Sequence, residues 1–126
     1  MTKWHGYFRQ SAGPGWVPVG DAGHFKDFTP AQSISDAPRQ AKHLAATVHT
    51  GMATSTLDAS TMRWWTWRDR DASEMYWLAA DMGIAGASTP LTTRLLRDSP
   101  PTPPRRVSCC GVLNHELPPS RLFTAT

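Results

Sequence analysis

Residues 36–51 read DAPRQAKHLAATVHTG, and this stretch predicts the main helix of the fold. Its apolar residues recur at intervals of three and four, the spacing of one face of a helix. These residues are Ala41, Leu44, Ala45 and Val48. Arg39, Lys42 and His49 fall away from this face. We therefore expect a helix from near Asp36 to Gly51 that packs its apolar face onto a sheet.

The segments before this helix predict a small antiparallel sheet. Trp4–Arg9 has the aromatic content of a short strand, and the glycine- and proline-rich residues 11–15 form a turn cluster. Trp16–Val19 is expected to return as the second strand of a hairpin. Residues 24–28, which include two phenylalanines, are expected to be extended or irregular.

Signals for a helix start precede the main helix. Thr29 is a capping residue, proline follows it at the first helical position, and a glutamine stands three residues after it. Because proline restricts the residue before it, Pro38 is expected to divide this region into a short turn and the main helix.

Thr61–Arg68 reads TMRWWTWR, which predicts a strand because aromatic residues are enriched in sheets. The next segment leaves two alternatives. Met75–Leu78 could be the return strand of a hairpin. A capping box at Asp71–Glu74, helical spacing of the apolar residues after it and the glycine at 83 instead favour a helix over 71–83. The fold class is therefore α+β, with the order β-β-α-β-α or β-β-α-β-β.

Composition divides the chain near residue 84. All six tryptophans lie before that point, so residues 1–84 are expected to form the folded domain. Through Ile84 the basic and acidic residues balance, eight against eight, and the net charge of +3 therefore comes from residues 85–126. The proline run at 100–104 enforces an extended conformation. Residues 85–126 are expected to be an extended, largely disordered basic tail.

Several protein classes receive little support. The two cysteines are neighbours, Cys109 and Cys110, which indicates reduced thiols and a cytoplasmic location. We see no secretory signal and no apolar segment near the ~20 residues of a membrane span, so no membrane partner is expected. Histidine and cysteine spacings do not fit a metal site, and no nucleophile, phosphate-loop or dinucleotide motif is present. We expect no catalytic residue, metal or cofactor.

Arginine outnumbers lysine ten to three, and Ile and Asn are rare. This bias indicates a GC-rich genome, such as that of an actinobacterium or its phage. A phage origin would place the protein in the virion or the host cytoplasm.

The tryptophan-rich segment is the strongest functional feature. On a strand its side chains would alternate between two faces, and large aromatic residues on both faces suggest that one is left open, flanked by arginines. The proline-rich tail fits a segment that docks into aromatic grooves. The predicted partner contacts are Arg63, Trp64, Trp65, Trp67, Arg68, Arg70 and Trp77, with Pro101, Pro104, Arg105 and Arg106 in the tail.

These features predict a non-enzymatic interaction or assembly protein that binds a protein partner or itself, since tryptophan and arginine are favoured at interfaces. The first alternative is a nucleic-acid-binding module with tryptophan stacked on bases and arginine on phosphates. The second is a small enzyme whose site joins distant residues such as His24, His43 and Asp69.

Overall fold

The computed structural model describes residues 5–84, 93 and 111–122. These residues form a small α+β fold with two antiparallel strands and two long helices, in agreement with the predicted class. The order is β-β-α-α, so neither predicted order is found. The elements are β1 Tyr7–Phe8, a 3-10 turn Gly20–Ala22, β2 His24–Phe25, α1 Ser33–Ala53, α2 Leu57–Met82 and a 3-10 turn Pro119–Leu122.

The chain divides into two compact units. The first takes Met1–Lys26 and Ala31–Ser73, and the second takes Asp27–Pro30 and Glu74–Thr126. The division falls within α2.

The sheet pairs β1 with β2, with Tyr7 opposite Phe25. The prediction that Trp16–Val19 is the return strand is wrong. Trp16 exchanges two backbone hydrogen bonds of 3.1 Å with Gly13, which closes a tight turn. Pro18 has no N–H for a strand ladder, so the chain continues past this segment before it pairs.

α1 is longer than predicted and is not divided at Pro38. The helix begins after Gln32, whose carbonyl accepts hydrogen bonds from the amides of Ser35 and Asp36 at 3.1 and 3.0 Å. The predicted cap, Thr29, instead donates its amide to Asp27 Oδ1 at 2.8 Å. Pro38 lies on an exposed side of the second turn, where the helix continues with one backbone hydrogen bond fewer.

The prediction of a strand over Thr61–Arg68 is wrong, because these residues lie inside α2. In the first unit four buried residues of α2 recur every four positions, as on one face of a helix. These residues are Ser60, Trp64, Arg68 and Ala72, and Thr61 next to Ser60 is buried as well. The favoured helix over 71–83 agrees with α2, which ends at Met82 directly before Gly83. The predicted capping box at 71–74 lies within α2 and does not mark the start of a helix.

α1 and the first half of α2 pack as an antiparallel pair joined by residues 54–56. His43 lies against Trp67, and Arg39 pairs with Asp71. Near the connection Gly51 faces Ser60, where a Cβ added to the glycine would lie 3.1 Å from the serine Cβ. The glycine therefore permits the close approach of the two helices.

The second unit has its own apolar core. Val112 is buried and packs with Met75 and Leu78 of α2. The amide of Ser120 donates a hydrogen bond of 2.9 Å to Glu74 Oε2. Val112 and Ser120 therefore contact α2. The predicted division of the chain into a domain of residues 1–84 and an extended tail of residues 85–126 stays a prediction.

Gly51→Leu is expected to destabilise the first unit, although leucine is the better helix former, because its side chain would meet α2. We expect a loss of about 1–3 kcal/mol in the free energy of unfolding, the usual range for overpacking. Ala59→Leu adds the same side chain at an exposed position and is expected to change stability by less than about 0.5 kcal/mol. Urea unfolding followed by circular dichroism measures both. Equal losses would contradict the close approach.

Candidate functional site

The interior of the first unit is built from charged and polar side chains. Lys26 and Asp36 are both buried, and Lys26 Nζ donates a hydrogen bond to Asp36 Oδ2. Arg39 Nη2 lies 3.3 Å from the other oxygen of Asp36, and His24 Nε2 lies 3.6 Å from Oδ2. A carboxylate out of contact with water needs such partners, because an unpaired buried charge is strongly destabilising.

These contacts fix the rotation of α1 about its axis. Asp36 and Gln40 are one turn apart and therefore lie on the same face. Gln40 is fully buried, and its Oε1 accepts a hydrogen bond of 3.1 Å from the amide of Gly20 in the first 3-10 turn. Ala37 packs beside the same glycine. The side of α1 that carries Asp36 and Gln40 is thus the one that faces the protein.

Much of the apolar face of α1 consequently faces outward. Ile34 is 87% exposed and Met52 is 68% exposed, at the two ends of the helix. Ala41 and Ala45 between them are exposed as well. The expectation that this face packs onto a sheet is wrong. We call the whole face the α1 stripe: Ile34, Ala41, Leu44, Ala45, Val48 and Met52, of which Leu44 and Val48 are half-buried.

An open groove of about 450 Å³ runs between α1 and α2. The imidazole of His43 and the indole of Trp67 stack in parallel in its wall, with centroids 3.7 Å apart and planes 5° apart. Arg63 lines the groove from α2 and donates to Ser60 Oγ at 2.9 Å. The groove therefore offers one aromatic pair and one guanidinium to a bound group. Its remaining lining residues are Ala46, Thr47, Thr50 and Trp64.

Arg68 is fully buried and joins α2 to the N-terminal segment. Its Nη2 donates to Ser11 Oγ at 2.6 Å, and its guanidinium pairs with Asp69. Gly23 leaves room for this group, because a Cβ there would lie 2.3 Å from Arg68 Nη1. Arg68 therefore holds the unit together and does not extend into solvent.

The predicted contact residues are distributed over several faces of α2. Trp64 and Arg68 point inward, Trp65 and Trp67 are half-buried, and the premise of two strand faces is lost with the strand itself. Arg63 and Arg70 are exposed. In the second unit Trp77 is 69% exposed. The four predicted tail contacts, Pro101, Pro104, Arg105 and Arg106, lie outside the described residues.

The three residues named for an enzyme site have separate environments. His24 is buried and, within the described residues, neither of its ring nitrogens has a hydrogen-bond partner. His43 lines the groove, but His24 and Asp69 do not. Asp69 pairs with Arg68. The groove therefore does not join these three side chains.

Sequence reasoning missed the residues at the two ends of the α1 stripe and the ion pair behind it. Ile34 stands seven residues before Ala41, and Met52 stands four after Val48. This spacing could have extended the stripe through the whole helix. The burial of Lys26 had no local signal, because its partner Asp36 is identified only by the tertiary fold.

No family model matches the chain, and neither a curated protein sequence nor a solved structure is significantly similar to it. The described helices include none with both the length and the apolar character of a membrane span. Among the described residues no group of three or more His, Cys, Asp or Glu side chains could hold a metal ion.

Lys26→Met is expected to destabilise the protein by about 3 kcal/mol, because it leaves the Asp36 carboxylate buried without its main partner. The double variant Lys26→Met/Asp36→Leu removes both charges and is expected to recover most of this loss. Urea unfolding followed by tryptophan fluorescence gives the coupling between the two substitutions. Lys42→Met removes an exposed lysine and serves as the control. Additive losses in the double variant would show that the ion pair is not the constraint on α1.

Proposed function

We propose that the protein is a non-enzymatic interaction module that binds another protein through the α1 stripe. The observation that carries this proposal is the exposure of Ile34 and Met52 on a helix that buries the polar residues Asp36 and Gln40. Burial of one such side chain is worth roughly 1.5–3 kcal/mol, so the exposed stripe is a source of binding free energy. Large contiguous apolar patches are rare on the surface of soluble monomers, and they usually mark interaction sites.

The form of the stripe suits a partner helix or a similarly narrow apolar ridge. Its residues recur at intervals of three, four and seven, as in helices that dock an apolar face into a groove. The two most exposed large side chains, Ile34 and Met52, stand at its ends.

The tryptophan-rich segment remains part of the proposal as a second contact. Arg63 and Trp67 share the groove with His43, and aromatic and arginine side chains are favoured at the centres of interfaces. Arg70 is exposed as well and could contact a partner. Trp77, in the second unit, stays a separate predicted contact. Trp64 and Arg68 are buried and would support these contacts from inside without touching a partner.

Nucleic-acid binding is the alternative that the groove leaves open. Arg63 and Arg70 are exposed and could contact phosphates. His43 already covers one face of the Trp67 ring, which reduces the surface on which a base could stack. The arrangement therefore favours a protein partner. An enzymatic role has less support, since the groove does not unite the residues named for one.

A photoreactive amino acid at position 45 tests this proposal, with the same substitution at position 59 as the control. Both sites are exposed alanines in helices, and only position 45 lies on the α1 stripe. In cells that produce the protein, irradiation is expected to give a discrete protein adduct from position 45 and none from position 59. The adduct should disappear when Ile34→Asp is added.

Three results would contradict the proposal. These are no adduct from position 45, equal adducts from both positions, or an adduct that nuclease treatment removes. In a separate binding assay, a steep loss of affinity for single-stranded DNA with rising salt would favour the nucleic-acid alternative, because phosphate contacts release counterions.

A further inference from the structure

We infer that the partner of the α1 stripe is a different protein with an apolar strip bordered by carboxylates, and not a second copy of this chain. This inference rests on the proposed function and assigns the chemistry of the partner. It is argued from the charges beside the stripe, from the symmetry of self-pairing and from the area that the stripe can bury.

The exposed border of the stripe carries positive charge and no negative charge from α1. Lys42 lies about 80° around the helix from Ile34, between the stripe and Ala46 of the groove, and His49 lies on the same border. Asp36 is the one acidic residue of α1, and it is buried. Within the described part of the chain, no carboxylate forms an ion pair with Lys42. Arg39, by contrast, is paired with Asp36 and Asp71.

Self-pairing of the stripe would leave Lys42 without a counter-charge. The midpoint between Ile34 and Met52 is residue 43, so a two-fold axis for antiparallel pairing passes beside Lys42. The two copies of Lys42 would then face each other. Like charges that face each other across an interface repel and disfavour that pairing. In a parallel pair each Lys42 would instead meet the opposite border of the other stripe, where α1 supplies no exposed carboxylate to pair with it.

The area of the stripe makes its border part of the interface. The stripe spans 18 residue steps, which is about 27 Å along a helix, and a helix is about 10 Å across. The apolar strip is therefore roughly 270 Å², well below the ~800 Å² per partner of a stable interface. A partner that binds stably must extend over the border, where Lys42 would lose water and need a counter-charge.

Three synthetic amphipathic helical peptides test the inference. They share one leucine face and carry glutamate, glutamine or lysine at every position that flanks it. The affinity of each fluorescein-labelled peptide for the full chain is measured by fluorescence anisotropy at low and high salt. A scrambled peptide without an apolar face gives the background.

The glutamate peptide is expected to bind about tenfold more tightly than the lysine peptide, a difference of about 1.4 kcal/mol. The difference should shrink as salt screens the border charges. Lys42→Glu is expected to reverse the order of the two peptides. Arg9→Glu makes the same change of charge at an exposed position outside α1 and outside the proposed contacts, and is expected to keep the order.

Equal affinity for the glutamate and lysine peptides would overturn the inferred partner chemistry while leaving docking by the stripe intact. Binding no stronger than the scrambled peptide would overturn both this inference and the proposed docking surface. Light scattering measures the oligomeric state of the full chain and provides a third test. A dimer that Ala45→Arg dissociates would identify a second copy as the occupant and overturn the inference.

Discussion

The buried ion pair of Lys26 and Asp36 is the constraint on which the rest of the first unit depends. Neither charge can lie in the interior without the other, so Asp36 must face inward. Gln40, one turn further on, faces inward with it and binds the amide of Gly20. Ile34, Ala45 and Met52 lie on roughly the opposite side of the helix from these two residues, so the burial of Asp36 and Gln40 leaves them exposed. The proposed docking surface thus results from a charge on the opposite face of the same helix.

Arg68 has a comparable role in α2. Its contact with Ser11 joins residues that are 57 apart in the sequence. The buried position that an apolar side chain usually occupies is here taken by a guanidinium. The tryptophan-rich segment is arranged around this residue, with Trp64 one turn before it on the buried side. Arg63 and Trp67 are left to line the groove. The unit is therefore specified more by directional polar contacts than by buried apolar area, and its exposed apolar residues remain available to a partner.

Part of this fold could be predicted from the sequence. The period of the apolar residues located α1, and the glycine at 83 marked the end of α2 within one residue. The strand predicted at Thr61–Arg68 failed because the preference of tryptophan for sheets is weak and depends on context. The helical spacing of Trp64, Arg68 and Ala72 was present in the sequence, but a charged residue at its centre concealed it. The same reasoning found the stripe of α1 and assigned it to the wrong environment.

The sequence by itself determined that α1 is a helix with one polar and one apolar side, because periodicity is a local property of the chain. It also determined that aromatic and arginine side chains gather on residues 63–70. Only the tertiary structure decided which side of α1 is buried and which of these side chains reach solvent. Those outcomes depend on the ion pair of Lys26 with Asp36 and on the hydrogen bond of Arg68 with Ser11. Such pairings between segments distant in the sequence cannot be read from the spacing of neighbouring residues.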